Sequence, residues 1–292
     1  RVLATSADRV RVRAPIEALF RSAEGGLKQS ALKALIAMAG PENDALLAEV
    51  LGSPDENLVA IAISGLAESK NAGAVDQIRK ILAHPTAGAR HVLALLGYFH
   101  ANPGVLKDQD VLAFVRIAQS ATLALETRVG VVDALATLEP KLDSELRKAL
   151  ETLANSPDRK LHESALVLLA RIGDKNAKRE LVKEADDVVD KNPRWAEAYV
   201  RRADLYARIG DDDAAIKDYR DAITIGRDDP TLQPSTFVKL ARALTRKGKL
   251  KDAADTLRHA PISLAELQAL ADDEEFAPLR NSKYGNDAFG LK

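Results

Sequence analysis

The feature that most constrains this chain is a spacing of small and aromatic residues in its last third. After Asn192-Pro193, residues Tyr199, Ala203, Tyr206, Gly210, Ala215, Tyr219 and Ala222 are followed at the same spacing by Phe237, Ala241, Leu244, Gly248, Ala253, Leu257 and Ala260. Two helices cross closely only where small side chains meet, and a glycine between them accepts the turn that ends the first. A chain that repeats this arrangement is expected to fold as helical hairpins stacked side by side.

The pattern extends upstream in looser form. From Pro15 onward, apolar-striped segments come in pairs separated by short polar turns, the periodicity of antiparallel helices. Aligning the second segment of each pair puts a small residue at one place each time: Ala37, Gly65, Gly97, Ala134 and Ala170. We expect these to allow close backbone approach, with Tyr98 and the neighbouring aliphatics filling the space between repeats. The runs Ser53-Pro54 and Ser156-Pro157 read as helix starts, with serine as cap and proline in the first turn.

Composition agrees. Of 292 residues, 46% are hydrophobic but only 4% aromatic, which favours an Ala/Leu/Val helical core over a sheet. Forty-two basic residues against forty-three acidic give a net charge of −1, so the molecule as a whole has no electrostatic draw towards phosphate backbones or anionic lipid. There is no cysteine, which excludes disulfides and thiolate chemistry. No apolar run approaches the ~18–20 residues of a membrane span. The chain opens at Arg1, from which we expect a trimmed or processed product whose compartment stays open.

Two resemblances follow from these residues. Residues 14–190 resemble HEAT repeats, by helix-pair pattern and interval. Residues 191–260 resemble two tetratricopeptide repeats, counted from Ala196 and from Pro234. Arg202 stands where that family usually has leucine, and its usual closing proline is displaced to Pro230. The resemblance implies an all-α, right-handed α-α superhelix of antiparallel helix pairs, HEAT-like and then tetratricopeptide-like. Residues 1–13, with four arginines and no helical stripe, read as a basic lead-in. Residues 261–292 read as a capping helix and tail, with Leu264, Leu267 and Leu270 inward and Phe276 and Leu279 following, because a repeat array must cover its last apolar face.

A search for chemistry finds little. His84, His91, His100, His162 and His259 are scattered over different repeats, whereas a metal site needs several converging ligands. The dyad His162-Glu163 is similar to those of HEAT-like iron hydroxylases, but that family uses several and this chain has one. Asp211, Asp212 and Asp213 lack calcium-loop spacing and follow a turn glycine, so capping of the next helix is the default reading. No phosphate loop, dinucleotide fingerprint or nucleophile elbow is present. We therefore expect no catalytic residue, no metal and no cofactor.

In tetratricopeptide arrays the first helix of each hairpin lines a concave groove. The resemblance places Glu197, Val200, Asp204, Ala207 and Arg208, then Ser235, Val238, Arg242, Thr245 and Arg246, on that face. The carboxylate clamp of chaperone-binding members is not reproduced, since Val200, Asp204 and Val238 stand where it needs Lys or Asn. The expected function is a non-catalytic scaffold, bacterial in style, that binds a protein or peptide partner. Arg208, Arg242 and Arg246 are candidates for an acidic segment, and the alternative is that they are solubilising charges. Other readings remain open: a HEAT-like nucleic-acid-binding or DNA-repair solenoid, or the interaction module of a larger enzyme. The first is disfavoured because Lys28, Lys33, Arg90, Arg128, Arg159 and Lys160 are dispersed among acidic neighbours with few aromatics. The oligomeric state is not readable.

Overall fold

The computed structural model describes residues 6–38, 40, 42–83, 89–227 and 233–291. Among these residues there is helix and turn but no strand, and no helix is long and apolar enough to cross a membrane. His84 and Pro230 lie outside the described residues, as does the side chain of Arg90. The chain divides into two compact units, Arg1–Leu168 and Leu169–Lys292.

The first unit contains α1 (Ser6–Ser22), α2 (Gly25–Ala37), α3 (Glu42–Val50), α4 (Glu56–Glu68), α5 (Val75–Leu82), α6 (Ala89–Ala101), α7 (Asp108–Gln119), α8 (Leu125–Thr137), α9 (Ser144–Ala154) and most of α10 (Arg159–Arg171). The helices pair along the chain, α1 with α2, α3 with α4 and α7 with α8. They also form two layers. The second helices α2, α4, α6 and α8 pack in succession, and α5, α7 and α9 do the same on the other side. Between the layers lie Leu32, Leu35, Leu47, Ile63, Leu66 and Ile78, all buried. Where α6 meets α7, Tyr98, Phe99 and Phe114 stack edge to face at centroid distances of 5.6 and 5.9 Å, a favoured aromatic geometry. The Tyr98 hydroxyl donates to the Asn71 carbonyl at 2.7 Å, and burial pushes its pKa up.

Local sequence accounts for the starts of these helices, with one revision. In both Ser-Pro-Asp runs the cap is the aspartate. Asp55 accepts from the amides of Asn57 and Leu58, and Asp158 from those of Lys160 and Leu161. Ser53 and Ser156 instead accept from the Asp55 and Asp158 amides, a serine turn that delivers the carboxylate to the orphan donors of the first turn. A second revision concerns the N-terminus. Helix α1 begins at Ser6 and runs through Pro15, so helical structure takes in residues 6–13, the larger part of the segment read as a lead-in. Its Arg13 is held by Asn43 at 2.6 Å and by Glu42 at 3.4 Å, long-range partners that no local pattern reveals.

The second unit begins within α10 and continues through α11 (Lys175–Lys191), α12 (Ala196–Arg208), α13 (Asp212–Ile225), α14 (Ser235–Arg246), α15 (Leu250–Arg258), α16 (Leu264–Ala269), α17 (Ala277–Arg280) and α18 (Gly285–Phe289). Here α12 pairs with α13 and α14 with α15, and α13 packs on α14. Ala203, Ala215, Tyr219 and Ala222 of the first hairpin are buried, as are Leu240, Ala241, Leu244, Ala253 and Leu257 of the second. Gly210 and Gly248 occupy the two turns with φ of +77° and +70°, the left-handed region that glycine enters without steric cost.

The C-terminal cover is more elaborate than a single helix. Helix α16 ends after six residues, leaving Leu264 exposed and Leu267 and Leu270 half-buried. The chain then folds back through short turns, α17 and α18, and it is Phe276, Leu279, Ala288 and Phe289 that enter the core. Phe276 and Phe289 meet edge to face at 5.9 Å, and α18 packs on α15.

Candidate functional site

The groove positions expected on α12 and α14 are best judged by what each side chain already touches. Glu197 accepts from Arg201 one turn on, at 3.3 Å. Val200 is buried and belongs to the core of the second unit, and Val238 packs against that core half-buried. Asp204 accepts from the Tyr219 hydroxyl at 2.7 Å and from Lys239 at 2.8 Å. Burial, and then the Asp204 carboxylate, push the pKa of Tyr219 well above its usual value. Thr245 is buried and turns its hydroxyl back to the Ala241 carbonyl at 2.8 Å. Ser235 and Arg208 are exposed, and Ala207 half-buried.

Two of the three arginines expected to meet an acidic segment, Arg242 and Arg246, are each matched within the chain. Arg242 donates to Asp273 at 2.6 Å, lies 3.2 Å from Glu275, and sets its guanidinium over the Phe276 ring at 5.7 Å. Arg246 takes Asp212 through both Nε and Nη2, the latter at 2.6 Å, and reaches Glu275 at 3.2 Å. The Asp273 carboxyl is held below the usual carboxylate range, first by the Glu275 amide and then by Arg242. Burial works against the charge on Arg246, but Asp212 and Glu275 hold its pKa above the ordinary value.

Arg202, the departure from the usual leucine, follows the same logic. It forms a two-pronged pair with buried Asp218, at 2.6 and 2.9 Å, and reaches Asp186 at 3.0 Å. These partners raise its pKa, with the Asp218 hydrogen bond the largest cause. The acidic run is likewise spoken for. Asp211 caps α13 through the Ala214 amide and pairs with Lys178, Asp212 binds Arg246, and Asp213 binds Lys247 at 2.9 Å. Sequence reading missed Lys239, Asp273 and Glu275 as groove partners. For Lys239 a signal was available, because it stands about one repeat from Asp204; Asp273 and Glu275 belong to the C-terminal cover, where no repeat spacing runs.

Among the described residues the histidines do not converge. His91 is buried with Nε2 2.9 Å from the Glu56 carbonyl, His162 Nδ1 lies against the Ala154 carbonyl, and His259 Nδ1 is 2.7 Å from the Asp255 carbonyl. No group of His, Cys, Asp or Glu that could hold a metal occurs among the described residues. Arg128 donates to the Ala118 carbonyl at 2.7 Å.

The α12-α13 hairpin, with alanines at its crossing, glycine in its turn and Tyr219 beneath Asp204, is the geometry against which known families can be compared. Residues 196–229 match the tetratricopeptide repeat. No curated protein and no solved structure matches the chain. Glu197, Asp204 and Arg208 all stand on the first helix of this repeat, α12.

Proposed function

We propose that the chain is a non-catalytic scaffold that holds a protein or peptide partner against the faces of its stacked helices, HEAT-like through residues 14–190 and tetratricopeptide-like after them. One observation carries the reading: a matched tetratricopeptide repeat whose alanines, turn glycine and buried tyrosine sit as the repeat requires. The layered hairpins of the first unit support it, because such stacking leaves a row of helix faces outside the core. In the second unit the proposed surface comprises Glu197, Val200, Asp204, Arg208, Ser235, Val238, Arg242 and Arg246, with buried Val200 and half-buried Val238 as its floor.

An acidic partner segment would compete with Asp273 and Glu275 for Arg242 and Arg246. Affinity purification of the full chain from its native host, with mass spectrometry of what co-elutes, tests the scaffold itself. A protein recovered at near-stoichiometric abundance is the expected outcome, and its absence sinks the proposal. Asp273→Ala with Glu275→Ala tests the acidic-segment reading. Freeing Arg242, with Arg246 left to Asp212 alone, should tighten capture, while unchanged or weaker capture removes that reading and leaves the scaffold standing.

A further inference from the structure

An open apolar surface lies in the first unit. Successive second helices α2, α4 and α6 border an open valley of about 730 Å³. Ile36 and Ile61 flank it half-buried, and Leu93 stands 53% exposed at its α6 side. The floor is made of Ala37, Ala60, Gly65 and Ala94. Two charges border it, Lys33 on α2 and Glu68 at the end of α4. Neither has an ion-pair partner among the described residues, in a molecule whose second unit matches nearly every groove charge.

We propose that this valley docks an amphipathic helix of a partner protein, with an acidic residue meeting Lys33 and a basic residue meeting Glu68. The inference rests on the scaffold reading and names its partner class. Helix is chosen over extended peptide on hydrogen-bonding grounds. All three walls are helices whose backbone groups are engaged internally, and the Ser64 hydroxyl donates to the Ala60 carbonyl at 3.0 Å. An extended segment would bring amides and carbonyls that find no partner there, whereas a helix arrives with its own bonds made and offers a stripe at i, i+3 or i+4, and i+7. The small floor residues let its backbone come close.

Register follows from the packing. Ile36 lies against Gly65, so close that a Cβ there would fall 2.8 Å from Ile36 Cδ1. Lys33 precedes that contact by one turn of α2, and Glu68 follows it by one turn of α4. Successive second helices run the same way, so the charges stand about 9 Å apart along the axis at 1.5 Å per residue. A partner helix lying along the valley meets them with residues about six or seven positions apart.

The test is selection of a phage-displayed library of random 16-residue peptides on the full chain. Enriched sequences should show helical apolar spacing, with an acidic and a basic residue six or seven apart. Leu93→Glu, at an exposed position, should weaken the selected peptides at least tenfold while leaving helical circular dichroism unchanged. The double exchange Lys33→Glu with Glu68→Lys should reverse preference between a selected peptide and its charge-swapped form. No enrichment, enrichment without helical period, or binding indifferent to Leu93→Glu overturns the proposal. So does a concentration-dependent dimer that Leu93→Glu dissociates, which would assign the valley to a second copy of the chain. Host-partner capture that survives Leu93→Glu would leave the scaffold standing without the valley, and a wild-type chain with no stoichiometric host partner would fail the scaffold itself.

Discussion

In the second unit, charged side chains on the outer faces reach across to the next repeat: Lys239 to Asp204, Arg246 to Asp212, Lys247 to Asp213, Arg220 to Asp252 and Arg242 to Asp273. In the first unit, the face of α2, α4 and α6 carries isoleucine, alanine and leucine outward, with single charges at its margins. Both units stack helices in pairs, but they spend their surfaces differently. The second locks its C-terminal cover to the neighbouring repeats by electrostatics; the first also joins repeats by ion pairs, Arg79 with buried Asp110 at 3.0 Å and Arg116 with Glu145 at 3.4 Å, but leaves apolar area uncovered on α2, α4 and α6, which costs solubility unless something binds there.

The largest effect we expect tests how far the second unit depends on its ion pairs. Asp218 is buried and holds Arg202 by two bonds. Asp218→Ala strands a guanidinium with only Asp186 for company, and breaking a buried pair from one side costs about 3 kcal/mol. Chemical denaturation should show that loss. A change under ~1 kcal/mol would mean that the pair is dispensable and that the contrast between units is superficial. Next in size is Ala215→Leu at the α12-α13 crossing. With Ala215 fully buried, the added bulk should destabilise by ~1–3 kcal/mol, and unchanged melting would refute the register of the repeat.

That register was the most legible part of the molecule, because alanine at a crossing and glycine in a turn are demands made by neighbouring residues within one hairpin. Gly210, Gly248, Ala203 and Ala215 all sit where their spacing requires. The pairing of Arg242 with Asp273 was not legible in the same way. It depends on a cover in which Phe276 and Phe289 enter the core only after the chain reverses twice, and no helical period runs through that reversal. The valley was half-legible. The run Leu58-Val59-Ala60-Ile61-Ala62-Ile63 makes α4 apolar on almost every side, more than one buried stripe needs, but only the packing shows that Ile61 faces outward.

The small-residue column is uneven within the first unit itself. It was expected to mark close approach throughout, yet its members differ. Gly65 is buried against Ile36 and Leu47, while Gly97 is exposed with nothing within 4 Å of a built Cβ. Gly65→Ala should therefore be destabilising by about 1 kcal/mol, as Ile36 and Leu47 give way. Gly97→Ala should stabilise by ~0.5–1 kcal/mol through helix propensity alone. Equal effects of one sign in thermal melts would show that the column plays a single role along the first unit.

The smallest effect concerns acid. Because the folded-state pKa of Asp273 is depressed, its charge stabilises the cap at pH values above the ordinary 3.8, and that contribution disappears as pH falls through the lowered value. Asp273→Asn has the shape of the protonated acid and should melt about 1–3 °C below wild type at pH 6, as expected for a partly exposed pair worth under ~1 kcal/mol. The gap should narrow below about pH 4 and close once wild-type Asp273 is itself protonated. A gap that persists undiminished at pH 2.5 would show that Asp273 holds the cap by its hydrogen-bonding shape and not by its charge. The lock between cap and groove would then be no more electrostatic than the packing of the first unit.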